Sequence, residues 1–372
     1  MTAATTDGAT TPAPIRAAVV GFGTSGRTFH APLLADSPDY VISAIVTSDE
    51  NRRSDAQSTH PDATIHDTFE DLLERIDADG DIDLVVIGTP PALHREQAIA
   101  ALERDLSVVV DKPFAATAED ARAILEAADA SAGKLSVYQN RRWDTDFLTL
   151  SAVLDEGALG QVRTFESRVE SWSMRPPGSW KDSTPAAEGG GVLFDLGTHL
   201  LDQAVVLFGP ISDVYAELAA YNPDAQADED AFVSLLHENG VRSRLWMNRR
   251  SPAPGARFSV TGDQAAFVSI GKDPQEAQLG TGVLPSEDEY GTPEAPESMQ
   301  IHTPPQPPTG GPGAPASTKT PDIVRGDYPG FYRQMAAAIR GEGDVPVDPY
   351  ESAQVLALIE KIHAEFPVRT RG

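Results

Sequence analysis

The segment AAVVGFGTSGRTFH, Ala17 to His30, decides the fold. An apolar, β-branched run ends at Val20, and three glycines follow as G-x-G-x-x-G at Gly21, Gly23 and Gly26, ahead of a stretch of helical character. Glycine permits the tight turn and the close backbone approach that a pyrophosphate requires, and the N–H groups of the following helix would face that ligand. The candidate contacts are Gly21, Phe22, Gly23, Thr24, Ser25 and Gly26. Glycine-rich loops produce the pattern by chance. Placed directly after a first strand, it predicts a dinucleotide site on a doubly wound sheet.

The surrounding chain agrees. Short β-branched runs recur at Ile15–Val20, Val41–Val46, Leu84–Ile87, Val108–Val110 and Leu135–Tyr138. Between them TFEDLLERI, AIAALERD and TAEDARAILEAADA have helical spacing and acid-rich starts. This alternation predicts an α/β domain with a parallel sheet over residues 15–140, after a flexible tail at 1–14. From Gly160 the segments QVRTFESRVES, SDVYAELAAY, AFVSLLHENG, VRSRLWMNRR and RFSVTG alternate polar with apolar residues. They predict an α+β domain over 141–372 with a large, open, mainly antiparallel sheet. Residues 285–321 carry ten prolines and little apolar content, which predicts an irregular loop. Helices resume with YPGFYRQMAAAIRG and YESAQVLALIEKIHAEF.

Composition narrows the function. At 372 residues the chain is long enough for two domains, and 40% hydrophobic with 23% charged residues is a soluble balance. No long uncharged apolar run suggests a membrane span, and the small polar start lacks the pattern of a secretory signal, so a cytoplasmic protein is expected. The absence of cysteine removes disulfides, thiolate metal sites and thiol nucleophiles. A net charge of -27 argues against nucleic acid or an anionic membrane as partner.

Further motifs sit at the ends of the predicted strands, where doubly wound sheets bind ligands. An acidic residue is expected about 20 positions after the glycines to hold the adenine ribose. The chain reads IVTSDENRR there, with Ser48 at the expected place and Arg52 and Arg53 following. A hydroxyl beside arginines suits a 2′-phosphate, which tilts NAD(P) toward NADP; solvated arginines opening a helix would read the same. The next strand ends in GTPPALH, offering Thr89, Pro90 and His94 as a groove lining, although proline at a helix start is also purely structural. VVVDKPF places Asp111 and Lys112 just past an apolar run, and YQNRRWD gathers Asn140, Arg141 and Trp143. Such a cluster suits a polyhydroxylated or anionic ligand, or a domain junction. In FDLGTHLLDQ, helical geometry puts Asp195, His199 and Asp202 within roughly 60° of one another on an otherwise apolar helix. That stripe faces either water or a cleft. GGG at Gly189 to Gly191 would let the backbone pass closely beneath a ligand.

GFGTSG, TPPALH, VVVDKPF, NRRWD and GGGVLFDLGTHLLDQ, in this order over almost the full length, resemble the Gfo/Idh/MocA oxidoreductases. DKPFAAT, NRRWDTDFLTL, HLLDQAVVLFG and DPQEAQL are similar to the scyllo-inositol dehydrogenase branch. The resemblance implies a Rossmann domain, a C-terminal sheet that mediates homodimers or homotetramers, and NAD(P)-linked oxidation of a sugar or cyclitol hydroxyl. The family's E-K-P lysine maps onto Lys112, with Asp111 in place of glutamate, and its D-x-x-x-H pair onto Asp195 and His199. Asp202 and Arg141 fall on positions that contact substrate in the family, and Trp180 on a loop that approaches the nicotinamide. Ser48 departs from the acid of strictly NAD-dependent members.

Oxidising a secondary alcohol requires a base and a charge-stabilising donor at one oxygen. His199 suits the first role, Lys112 the second, and Asp195 can orient either substrate or imidazole. Asp202 is expected to hold a further substrate hydroxyl. The competing readings are a metal shared by Asp195, His199 and Asp202, a non-catalytic dinucleotide sensor, and a NAD-dependent glycosidase. No metal is expected, because the cofactor motifs leave no need for one.

Overall fold

The computed structural model describes residues 12–172, 184–222, 224–305 and 313–370. Six strands build the first sheet: β1 (Ile15–Val20), β2 (Tyr40–Val46), β3 (Thr64–His66), β4 (Leu84–Ile87), β5 (Ser107–Asp111) and β6 (Leu135–Tyr138). All pair in parallel, in the order β3-β2-β1-β4-β5-β6. Helices cover both faces, so β1, β4 and β5 are buried on both sides and read as unbroken apolar runs. β3 escapes a sequence reading because it is three partly exposed residues on the edge. TFEDLLERI begins its helix, Phe69–Asp79, with a reciprocal cap: the Thr68 hydroxyl accepts from the Asp71 N–H, and the Asp71 carboxylate accepts from the Thr68 N–H. The strand order reverses between β1 and β4, which opens a crevice at their carboxyl ends.

The second sheet has nine strands: β7 (Val162–Glu170), β8 (Ile211–Ala220), β9 (Asp230–His237), β10 (Arg242–Asn248), β11 (Phe258–Gly262), β12 (Ala266–Ser269), β13 (Met299–Thr303), β14 (Ser317–Lys319) and β15 (Arg369–Thr370). Their order is β14-β13-β12-β11-β7-β10-β9-β8-β15, antiparallel except for the β7/β10 and β8/β15 pairs. Along β9 and β10 alternate residues are buried, the period of a sheet covered on one face. The proline-rich stretch 285–321 is not wholly irregular, since β13 and β14 lie within it on the sheet edge. Prolines at 296 and 304 flank β13 without entering it, and its Met299 and Ile301 are buried.

Two late helices, Tyr328–Ile339 and Pro349–Glu365, return to the first sheet. The Tyr40 hydroxyl donates to the Tyr332 carbonyl at 2.7 Å, and the Ser136 hydroxyl of β6 donates to the Val347 carbonyl at 2.9 Å. Glu360 accepts the N–H of Ala118 at 2.7 Å, at the start of the helix Ala118–Ala130. No helix among the described residues is long and apolar enough to cross a membrane.

Candidate active site

The glycine turn is packed on itself. Gly21 has φ +89°, and a Cβ there would stand 3.0 Å from the Gly88 carbonyl group. A Cβ on Gly26 would stand 2.0 Å from the Gly21 oxygen. These two glycines are therefore required by the protein's own backbone. Gly23 differs, because a Cβ there would meet only the guanidinium of Arg52, with Nη1 at 3.5 Å. The Ser25 hydroxyl donates to Asp111 Oδ2 at 2.6 Å, tying the turn to the end of β5. Asp111 Oδ1 accepts the Lys112 N–H at 2.8 Å. Phe22 is in the core, edge-on to His60, so only its backbone faces the crevice, whereas Thr24 is exposed.

At the end of β2, Ser48 is exposed, and Asp49 caps the helix Glu50–Thr59 by accepting the Arg52 N–H at 2.9 Å. Arg52 lies over Gly23, but Arg53 is paired with Asp67 and belongs to the rim of the sheet. After β4 the Thr89 hydroxyl donates to Gln97 Oε1 at 2.6 Å, and Pro90 is exposed. His94 departs from its expected role as a groove lining. It is buried, with Nε2 at 2.8 Å from the Thr89 carbonyl oxygen and Nδ1 at 3.1 Å from that of Pro113. Burial holds its imidazole below the usual histidine range. The ring latches the end of β4 to the Lys112–Pro113 turn, whose peptide bond is cis, and so shapes the groove from behind.

The FDLGTHLLDQ segment folds as two helices, Val192–Asp195 and Gly197–Phe208, meeting at Leu196. Asp195 thus ends one helix and His199 stands in the first turn of the next. Lys112 reaches across from β5, and its ammonium donates to the Asp195 carbonyl at 3.1 Å and to Asp195 Oδ1 at 3.3 Å. Arg249, one residue beyond β10, donates to Asp195 Oδ2 at 2.5 Å. His199 is 4% exposed, and its Nδ1 is buried with no hydrogen-bond partner. Burial, and after it the charges of Lys112 and Arg141, hold this imidazole well below the usual histidine range; Asp195 opposes them. Lys112 and Asp195 are in direct contact and their charges act on His199, but across two helices and not along one polar stripe of a single helix as expected.

Other candidates lie elsewhere. Asp202, expected to bind substrate, is 2% exposed and grips Arg142 with both oxygens, at 2.8 Å from Nε and 2.6 Å from Nη2. That carboxylate is a strut. No group of three ligand-type residues is assembled among the described residues. Trp143, expected at the substrate, is a core ring packed edge-on to Phe331. Asn140 is buried at the same turn. Arg141 contacts Asp144 at 3.3 Å and Glu276 at 3.2 Å, close enough to His199 to affect its charge. The glycines before the helix are required by packing: a Cβ on Gly191 would stand 2.3 Å from Asp228 Oδ1, and one on Gly190 1.9 Å from the Thr184 oxygen. Trp180 lies outside the described residues.

Two features escaped the sequence reading. One is a buried network under the site: Arg257 donates to Gln203 Oε1 at 2.8 Å, Gln203 donates to the Arg141 carbonyl at 2.9 Å, and Tyr328 donates to Asp144 at 2.8 Å. Burial pushes the Asp144 carboxyl up to about 7, with Asp273 adding to the shift and Arg141 opposing it. The other is a threefold use of Asn-Arg-Arg, at Asn51–Arg53, Asn140–Arg142 and Asn248–Arg250. The first arginine of each triplet lies at the candidate site: Arg52 over the glycine turn, Arg141 near His199, Arg249 on Asp195. The second is a structural ion pair: Arg53 with Asp67, Arg142 with Asp202, Arg250 with Glu229. Adjacent side chains leave the backbone in different directions, so each triplet divides its charges.

The residues present fit a dinucleotide. A turn folded tightly on its first and third glycines leaves the second open beneath an arginine, at the crevice where the sheet order reverses. This arrangement defines an NAD(P)-binding oxidoreductase. Residues 15–139 match the family model described as the oxidoreductase family with an NAD-binding Rossmann fold, and residues 147–268 match that of the GFO/IDH/MocA C-terminal domain. The chain belongs to the Gfo/Idh/MocA family. It is 35% identical to the oxidoreductase YdgJ of Escherichia coli, covering 93% of this chain and 94% of YdgJ. It is 34% identical to scyllo-inositol 2-dehydrogenase (NADP(+)) IolW of Bacillus subtilis, covering 93% and 92%. Among solved structures, the YPO2259 protein of Yersinia pestis is similar with a TM-score of 0.84 at 33% identity, covering 94% of each chain.

Proposed function

We propose that the chain is a dehydrogenase that prefers NADP and acts on a secondary hydroxyl of a cyclitol or sugar, an inositol foremost. The observation that carries this reading is the meeting of Lys112, Asp195 and His199 at the carboxyl edge of the parallel sheet. The name of IolW supports both the cyclitol and the cofactor. Arg52 over Gly23 supports a 2′-phosphate there, and Gly21, Phe22, Gly23, Thr24, Ser25 and Gly26 would hold the pyrophosphate through backbone N–H groups.

The bound nicotinamide supplies the hydride acceptor or donor. His199, kept neutral by burial and by neighbouring cations, takes the hydroxyl proton at Nε2, since Nδ1 is sealed from solvent. Lys112 donates to the same oxygen as its negative charge develops. Asp195 orients the ammonium, and Arg141 borders the space left for the rest of the substrate. In the reverse direction His199 returns the proton. The exposed face of the second sheet carries Tyr215, Phe232, Leu236 and Trp246, which supports a homodimer or homotetramer through that face.

The test is a panel of myo-inositol, scyllo-inositol, glucose and related polyols, each with NAD and NADP separately, followed by absorbance of the reduced nicotinamide. A cyclitol with NADP is expected to give the highest kcat/KM. No hydride transfer to or from any member would sink the reading. Release of a leaving group without net cofactor reduction would replace it with a glycosidase.

A further inference from the structure

We propose that Arg249 is a positioning residue that holds Asp195 away from Lys112, so that the lysine's ammonium stays available to the reacting oxygen; this rests on the roles just given to Lys112 and Asp195. The carboxylate of Asp195 is shared unevenly. Its Oδ2 is 2.5 Å from Arg249 Nη2, while its Oδ1 is 3.3 Å from Lys112 Nζ. A carboxylate and an ammonium left to themselves close to about 2.8 Å. The longer distance is that of a lysine steadied without being captured.

The backbone around Arg249 is built to deliver it. Asn248 is the last residue of β10 and is paired with Asp230 on one side and Glu170 on the other. The next residue, Arg250, is pinned by its N–H to Asn248 Oδ1 at 2.5 Å, by its guanidinium to Glu229 at 2.7 Å, and by a bridge to Trp172. With both neighbours fixed, the Arg249 side chain projects from the sheet to the end of the helix Val192–Asp195. The start of that helix is anchored in turn, because Asp228 accepts the Leu193 N–H at 2.8 Å and contacts His363 Nε2 at 2.8 Å. A planar guanidinium presents its donors in a rigid fork and so fixes a carboxylate oxygen as a flexible ammonium would not.

If the charge of Arg249 is removed, the Asp195 carboxylate turns toward Lys112 and ties it down. Arg249→Met is expected to lower kcat roughly 10- to 100-fold, as misplacement of a reacting group does, with little change in substrate KM or cofactor binding. Arg249→Lys should recover part of the loss. In an Asp195→Asn background, where no charge is left to steer, Arg249→Met should cost much less than in the native enzyme. A merely structural arginine would cost the same in both backgrounds. A second readout needs no substrate: the rate at which Lys112 is acylated by an amine reagent, measured by peptide mass spectrometry on folded protein. That rate should fall several-fold in Arg249→Met and rise in Asp195→Asn. Native kcat in both Arg249 variants, equal costs in the two backgrounds, or unchanged or faster Lys112 labelling would each overturn the proposal. Should the native protein lack dehydrogenase activity, the functional reading fails, and the labelling alone decides whether Arg249 governs Lys112.

Discussion

His199 and Asp202 stand three positions apart in one helix and meet opposite fates, set by what surrounds each side chain. Asp202 finds a guanidinium that takes both of its oxygens, and Arg142 then passes its remaining charge to Glu351 at 2.8 Å. His199 is buried among cations whose effect, with that of burial, outweighs the opposing charge of Asp195, so its neutral form is favoured. For oxidation a neutral imidazole is the working form, and a free imidazole would lose it as pH falls through about 6.5. Because the His199 shift is downward, the neutral form persists below that point. In the oxidation direction, kcat/KM should therefore show no His199-dependent acid limb at or above pH 6.5, and should begin to fall only at lower pH. A pH–rate profile of the native enzyme checks this. A break between pH 6.5 and 7 that disappears with a histidine-free base at position 199 would show that the imidazole is not shifted as described.

At the scale of elements, strands buried on both faces announce themselves, and edge strands do not. β1, β4 and β6 were legible to the residue because each is an uninterrupted apolar run in a parallel sheet. β3, β14 and β15 hold only two or three residues each, partly or fully exposed, so their pairing depends on neighbours that a local pattern does not contain. The same limit applies to the site. Lys112 could be placed at a strand end, but the single-helix spacing read for Asp195 and His199 is interrupted at Leu196, so their approach depends on how two helices meet. Whether Arg141 or Arg142 meets Asp202 depends on the path of a single tight turn, Asn140–Trp143, which periodicity does not describe. Arg249 stayed hidden because its partner lies on another element, 54 positions away.

The first Asn-Arg-Arg triplet carries its own prediction. Arg52, held over the glycine turn by a helix that Asp49 caps, has no ion pair among the described residues, while Arg53 is committed to Asp67. Arg52→Ala should thus raise KM for NADP about 10-fold or more, the loss of one charge-assisted contact of about 1.5–3 kcal/mol, and leave KM for NAD nearly unchanged. Arg53→Ala should alter the NADP/NAD ratio little. Equal effects of the two substitutions on that ratio would mean that neither arginine is reserved for a 2′-phosphate.

Over the whole molecule, buried polar contacts tie the late helices and the turn between them to the first sheet. His30 Nδ1 lies 2.7 Å from the Tyr332 hydroxyl, and Ser136 and Val347 exchange hydrogen bonds at 2.9 and 3.1 Å. The body as a whole carries 56 acidic against 29 basic side chains, and the difference, 56 − 29 = 27, is its net negative charge. Salt acts on that body in two opposing ways. It weakens the ion pairs, but exposed pairs such as Arg122–Glu126 are each worth only about 0–1 kcal/mol, and buried ones such as Arg142–Asp202 are screened little. It also weakens the mutual repulsion of the 27 uncompensated charges, which acts across the entire surface. The second effect should win. The melting temperature is expected to rise by several degrees as NaCl or KCl goes from about 0.05 to 0.5 M, the range over which the screening length shortens from about 14 to 4 Å. Most of the gain should be complete by then. Differential scanning fluorimetry with both chlorides checks the prediction. A melting temperature that falls, or that rises only in molar sulfate as salt exclusion from the surface would cause, would show that self-repulsion does not limit this protein's stability.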